Sequence, residues 1–206
     1  MGKTTLVETF LKQLEQRQEP VRIGRGRCSE RLAGSEAYLP ILEALDSLQK
    51  NEQLGSISRL IRAVAPTWYV QIMPPSENDS SAARLAAETA SGSQERLKRE
   101  LAALFEEIGR MQPVVLCLDD MHWADASTTD LLAYLARRID SARLLIITTC
   151  RPSELAQSRH PFLPVKLDLI ARGMCRDLRP GSLDLMSTAK YIAMQFPEHE
   201  FPSHFP

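Results

Sequence analysis

The chain has 206 residues, 44% hydrophobic and 25% charged, with a net charge of -1. That composition suits one folded domain, with or without a small appendage, and gives no global electrostatic argument for nucleic acid or an anionic membrane. No stretch approaches the roughly 20 consecutive apolar residues of a membrane-spanning helix, and Glu8, Lys12 and Glu15 interrupt the segment where a secretory leader needs an apolar run.

The chain opens MGKTTLVETF. Gly2, Lys3 and Thr4 are the residue types that close a phosphate-binding loop of the form G-x-x-x-x-G-K-[ST]. Behind them Leu6, Val7, Phe10, Leu11 and Leu14 fall on one stripe, so a helix is expected from Thr4 to about Arg17. Pro20 ends it, and Val21 to Gly26 reads as a short strand with glycines at its exit.

A helical insertion follows, at about 39–111. Leu39 to Leu48 and Ile57 to Val64 carry helical periodicity, and Pro66 interrupts. Pro74-Pro75 introduces a polar stretch with little to bury, expected as a surface loop. Ser93 is placed to cap a strong helix from Gln94 to about Met111.

Val114 to Leu118, VVLCL, is a short continuous apolar run, the mark of a strand buried on both faces, and it ends in Asp119-Asp120. Asp125 can cap a helix from Ser127 to about Ile139. Leu144 to Thr149 is a second buried strand, ending in Cys150-Arg151-Pro152. Phe162 to Ala171 is ambiguous between helix and strand; Met174 to Leu178 is expected as a last short strand and Leu183 to Phe196 as a final helix. Strands alternating with helices indicate an α/β fold with a mainly parallel sheet.

Cys28, Cys117, Cys150 and Cys175 form no C-x-x-C pair and have no histidine at ligand spacing, which argues against zinc and against a disulfide framework. Cys117 and Cys150 read as small core residues, and a reducing cytoplasm is expected. The cluster Arg22, Arg25 and Arg27 is too small to mark a nucleic-acid surface.

Alone, Gly-Lys-Thr reads equally as a surface tripeptide before a helix. Its place at a helix start aims backbone N–H groups and the helix dipole at an anion. Lys3 would meet the β- and γ-phosphates and Thr4 would offer its hydroxyl to Mg²⁺. Asp119, at the end of a buried strand, would face the metal, and Asp120 would polarise the attacking water. The bland alternative is a strand closed by acidic turn residues. Thr149 and Arg151, at the end of the next strand, could sense a γ-phosphate; otherwise Arg151 makes a surface salt bridge.

GKTTLVETF, CLDDMHWAD and LLIITTCRPSE, in this order, resemble the AAA-type ATPase domains of the signal-transduction (STAND) ATPases, most closely the origin-recognition-like AAA domain of large bacterial regulators. GRCSERLAGSEAYLPILEAL and HPFLPVKLDLIARGMCRDL extend the likeness over nearly the whole chain. The resemblance implies a three-layer P-loop NTPase fold. GKT would end Walker A, with Gly2, Lys3, Thr4 and Thr5 binding nucleotide. Asp119 and Asp120 would form Walker B, and the strand end carrying Thr149 and Arg151 would be sensor 1. It further implies ATP and Mg²⁺ as cofactors, with Thr4 and Asp119 at the metal and Asp120 and Arg151 catalytic.

On this reading residues 1–180 are the nucleotide-binding core and 181–206 the start of a helical lid. The family couples an ATP-driven switch to flanking effector and repeat domains, with homo-oligomerisation on activation as a further expectation. The alternative is an interaction module that holds nucleotide without turnover. Two parts of the family pattern are not in this sequence: the strand and first glycines that lead into Walker A, and the Gly-x-Pro that follows the final helix. An internal fragment is therefore expected, poorly stable and nearly unable to bind ATP alone. His122 is expected as a polar neighbour of the site and Trp123 as a packing residue, with His160, His199 and His204 on the surface.

Overall fold

The computed structural model describes residues 2–16, 20–32, 36–50, 55–73, 93–138, 142–181 and 183–197. In chain order the described elements are helix α1 (Lys3–Glu15), strand β1 (Arg22–Arg27), α2 (Leu39–Lys50), α3 (Ser56–Val64), α4 (Pro66–Ile72), α5 (Gln94–Met111), β2 (Val114–Asp119), α6 (Ala126–Arg138), β3 (Leu144–Thr148), α7 (Pro152–Gln157), α8 (Phe162–Ala171) and α9 (Leu185–Gln195). Single 3-10 turns stand at Glu30–Leu32 and Met121–Trp123.

The three strands form one parallel sheet in the order β1-β2-β3. β2 is central, so both of its faces and both of its edges are covered, which is why a run of five apolar residues was needed there. Its side chains alternate: Leu116 and Leu118 enter the larger core, while Val115 and Cys117 meet Leu11 of α1 and Ile23 of β1 on the opposite face. The larger core gathers α2 to α6 around Ile41, Leu45, Trp68, Leu101, Phe105 and Leu131. Each such aliphatic or aromatic side chain contributes roughly 1.5–3 kcal/mol on burial. The fold is thus α/β with helices on both faces of a parallel sheet, consistent with a P-loop NTPase.

Most expected elements form where the sequence placed them, but β3 is not buried as expected: it lies at the edge of the described sheet, with Leu145 and Thr148 exposed. The Ser93 side chain accepts from the Arg96 N–H and caps α5. Asp125 accepts from the Thr128 N–H at 2.9 Å and caps α6. Pro66 ends α3 and also begins α4, because the first helical position needs no N–H donor. The ambiguous segment 162–171 is helical. Met174 to Leu178 is not a strand: a strand needs a neighbouring edge, and no described strand pairs with this segment. Asp177 is instead held by Lys166 at 2.8 Å. The expected polar loop at 76–92, Ile139, His199 and His204 lie outside the described residues.

Two glycines explain how closely α2 lies on β1. A Cβ on Gly26 would stand 1.7 Å from the Pro40 carbonyl oxygen, and one on Gly24 would meet the Ala44 carbonyl oxygen at 2.9 Å. Both obstacles are helix backbone, which cannot swing aside as a side chain does. Gly26→Ala should therefore cost about 3 kcal/mol through overpacking, lowering Tm by roughly 6–12 °C in a chain of this size. Gly181→Ala, where nothing lies within 4 Å of the added Cβ, should leave Tm unchanged. Thermal unfolding of the two variants checks this.

Candidate functional site

Parallel strands deliver their carboxyl ends to one edge of the sheet, where ligands bind in open α/β folds. Here that edge carries Arg27, Asp119 with Asp120, and Thr149 to Arg151. Arg27 stands opposite Asp119 in the β1-β2 register, and Leu118 opposite Thr148 in the β2-β3 register.

Thr149 joins the ends of β2 and β3. Its hydroxyl donates to Asp119 Oδ1 and accepts from the Asp120 N–H at 3.0 Å. Its backbone N–H donates to Leu118 and its carbonyl accepts from Met121, at 3.1 and 2.8 Å. Asp120 adopts a left-handed conformation, φ 58°, which turns the chain sharply out of β2. Its Oδ2 accepts from Nε and Nη2 of Arg27 at 3.2 and 3.0 Å. Arg27 in turn is placed by its N–H, which donates to Glu43 Oε2 of α2 at 2.7 Å.

Gly2 precedes α1 with φ 88°, a left-handed geometry natural to glycine, and no side chain caps the helix. The first-turn N–H groups of α1 therefore have no capping acceptor. Lys3 Nζ donates to the Cys150 carbonyl at 2.6 Å, which ties the start of α1 to the end of β3. Thr4 and Asp119 line one cleft of about 280 Å³, together with Val7, Glu8, Arg25, Gly26, Arg27, Glu43 and Cys117. Burial, helped by Asp119 and Glu8, pushes the Cys117 thiol up to about 11, so the cleft holds no ready thiolate.

A hydroxyl and a carboxylate are hard oxygen donors of the kind Mg²⁺ takes. Among the described residues no group of three or more His, Cys, Asp or Glu side chains could hold a metal. The donor set therefore fits Mg²⁺, which keeps waters and phosphate oxygens as its remaining ligands, and does not fit an all-protein cage.

The sequence expectations are met unevenly in space. Asp119, Asp120 and Thr149 touch, and Thr4 shares the cleft with Asp119. Thr5 is exposed on α1, where its carbonyl accepts from the Thr9 hydroxyl. Arg151 is turned aside: its Nη1 donates to Glu154 Oε1 at 2.7 Å, the salt bridge that the bland reading anticipated. Trp123 packs against the larger core. His122 is buried, with Nε2 3.2 Å from Glu154 Oε2 and 4.0 Å from Asp120 Oδ1.

Three residues escaped the sequence reading. Arg27 was discounted as part of a small basic cluster, although its position at a strand exit was a signal. Glu154 stands three residues after Arg151, the spacing of a pair across one helical turn. His160 is half-buried rather than a plain surface residue. Its Nδ1 accepts from the Phe162 N–H at 3.2 Å, so Nε2 carries the proton and donates to the Ala124 carbonyl at 2.8 Å. That neutral ring ties the start of α8 to the turn after Asp120.

Burial lowers the His160 pKa below its ordinary 6.5, opposed by the bond to Ala124. The unfolded chain then takes up the proton first. Stability is full above about pH 6.5 and falls as pH drops towards the folded-state value. Wild type should lose more Tm between pH 7.5 and pH 5.5 than His160→Gln, in paired melts; equal losses would contradict the lowered pKa.

No described helix is long and apolar enough to cross a membrane. Over 105 residues, 51% of this chain, the sequence is 33% identical to an uncharacterised protein of Rhizobium meliloti (strain 1021). The match spans 9% of that relative's length. No solved structure matches the chain significantly. The profile of the AAA ATPase domain matches residues 1–147, the stretch that holds α1, β1, β2, all but the last residue of β3, and both aspartates, and this chain belongs to that family.

Proposed function

We propose that this domain, as part of a larger regulatory protein, binds Mg·ATP at the carboxyl edge of its sheet and serves as an ATP-driven switch. The observation that carries this reading is the shared cleft: Thr4, from the uncapped start of α1, and Asp119, from the end of β2, line the same space. Oxygen donors in that cleft, beside a helix start that no side chain caps, suit a metal-bound polyphosphate.

In this reading the N–H groups of Lys3, Thr4 and Thr5, with Gly2 allowing close approach, hold phosphate oxygens. Lys3 Nζ leaves the Cys150 carbonyl for the β- and γ-phosphates, a short swing for a flexible side chain. Thr4 and Asp119 hold Mg²⁺, which when bound neutralises developing charge on the phosphate oxygens. Asp120 accepts the proton of the attacking water once its Oδ2 is free of Arg27. Thr149 keeps both aspartates in register, and Arg151 reads the γ-phosphate. Residues 1–180 form the nucleotide core, and 181–206, including α9, begin a lid. Four free thiols suit a reducing, cytoplasmic setting. Effector and repeat domains flanking the core, and assembly of copies on activation, belong to the same reading.

A module that holds nucleotide without turnover is favoured by one observation, the Arg27–Asp120 ion pair, which occupies the carboxylate needed for hydrolysis. Asp120 separates the two. In the intact protein, Asp120→Asn should bind Mg·ATP as wild type does and lose roughly 10²–10⁴-fold in kcat. Lys3→Ala should weaken Mg·ATP by about 10- to 150-fold, the equivalent of one charge-assisted hydrogen bond of about 1.5–3 kcal/mol. Asp119→Ala should abolish the Mg²⁺ dependence of binding. Calorimetric titration with a parallel phosphate-release assay reads all three; wild-type binding by both Lys3→Ala and Asp119→Ala would refute the site.

A further inference from the structure

Arg151 follows immediately on the carbonyl that anchors Lys3, so it stands beside the proposed phosphate position, yet its guanidinium is engaged elsewhere. Its side chain is 64% exposed, and among the described residues Glu154 is its ion-pair partner. Asp120 and Glu30 also act on it electrostatically. With most of its side chain in solvent, Arg151 is held where it lies chiefly by one carboxylate.

That carboxylate is unusual on its other side. Glu154 Oε2 is buried without a hydrogen-bond partner, and so are both ring nitrogens of His122 directly beneath it. The two groups approach to 3.2 Å without the alignment of a hydrogen bond. The His122 side chain is 1% exposed, so water is no ready substitute. Buried polar atoms are normally paired, and an unpaired couple within reach of one another is a feature to be explained. A helix-start acid that merely paired with Arg151 across a turn would have no use for a buried imidazole under its second oxygen.

We propose that Glu154 and His122 set the preference of this site for ATP over ADP by controlling the release of Arg151. This rests on the reading of Arg151 as the γ-phosphate sensor. Glu154 is an internal competitor, which holds the guanidinium until a γ-phosphate displaces it. His122 makes the displacement affordable: as Arg151 leaves, a small rotation aligns Nε2–H with Glu154 Oε2 and gives the stranded carboxylate a donor. The two residues therefore act with opposite signs. Glu154 opposes the triphosphate state and His122 favours it.

The test is the ratio of Kd for Mg·ADP to Kd for Mg·ATP, measured by calorimetry in the intact protein. Glu154→Gln removes the competing charge, and the ratio should rise roughly 1.5- to 5-fold, the size of a partly exposed ion pair. His122→Phe keeps a planar aromatic ring, slightly larger than the imidazole, but removes the donor, and the ratio should fall several-fold. The double variant should behave like Glu154→Gln, because no carboxylate then needs a donor. A ratio unchanged or lowered by Glu154→Gln, or moved the same way by both single variants, overturns the inference. The latter is what a purely structural pair would give. Arg151→Ala is the control: if it leaves the ratio intact, the sensor reading itself fails and takes this inference with it.

Discussion

Everything at the candidate site depends on the pairing of β2 with a parallel strand on each of its edges. Parallel pairing sends all three carboxyl ends to the same side, and the register then decides which residues meet. Arg27 falls opposite Asp119, and Thr149 follows the Leu118–Thr148 pair. A one-residue slip in either ladder would turn each strand's side chains to the opposite face. The registers are held by burial: Leu116 and Leu118 belong to one core, Val115 and Cys117 to the other. The apolar pattern of one strand thus fixes the position of two carboxylates.

Around that edge the charged groups are satisfied by the protein itself. Lys3 holds a carbonyl, Asp119 a hydroxyl, Asp120 a guanidinium, and Arg151 a carboxylate. Each of these partners is a side chain or carbonyl at a neighbouring strand exit or helix start, and each contact is mostly exposed or half-buried. Such pairs are individually weak in water. Exchange of several weak internal partners for one multivalent polyphosphate, as the proposed function requires, is therefore energetically accessible. Thr149 differs: it is buried, four of its polar contacts join β2 to β3, and it belongs to the frame.

Much of the architecture was legible in the sequence because it rests on local rules. VVLCL could be read as a doubly buried strand, Ser93 and Asp125 as caps, and the helix behind Gly-Lys-Thr from its stripe. What escaped depends on distant partners. Met174 to Leu178 has strand-like composition, but a strand is defined by its neighbour, and composition carries no information about one. Arg27 looked like one of several scattered arginines until the register placed it against Asp120. His160 followed a loop-like run, yet the fold gave its ring one donor and one acceptor. Glu154 was visible as part of RPSE, but its second oxygen meets His122 only because the turn after β2 packs against α7.

The central claim is that a metal-bound triphosphate sits between the start of α1 and the end of β2. A crystal structure of the intact protein with Mg²⁺ and a non-hydrolysable ATP analogue tests it most directly. The account predicts phosphates against the first-turn N–H groups of α1, Lys3 Nζ on their oxygens, and the metal between Thr4 and Asp119. Nucleotide bound away from both Lys3 and Asp119 would contradict it.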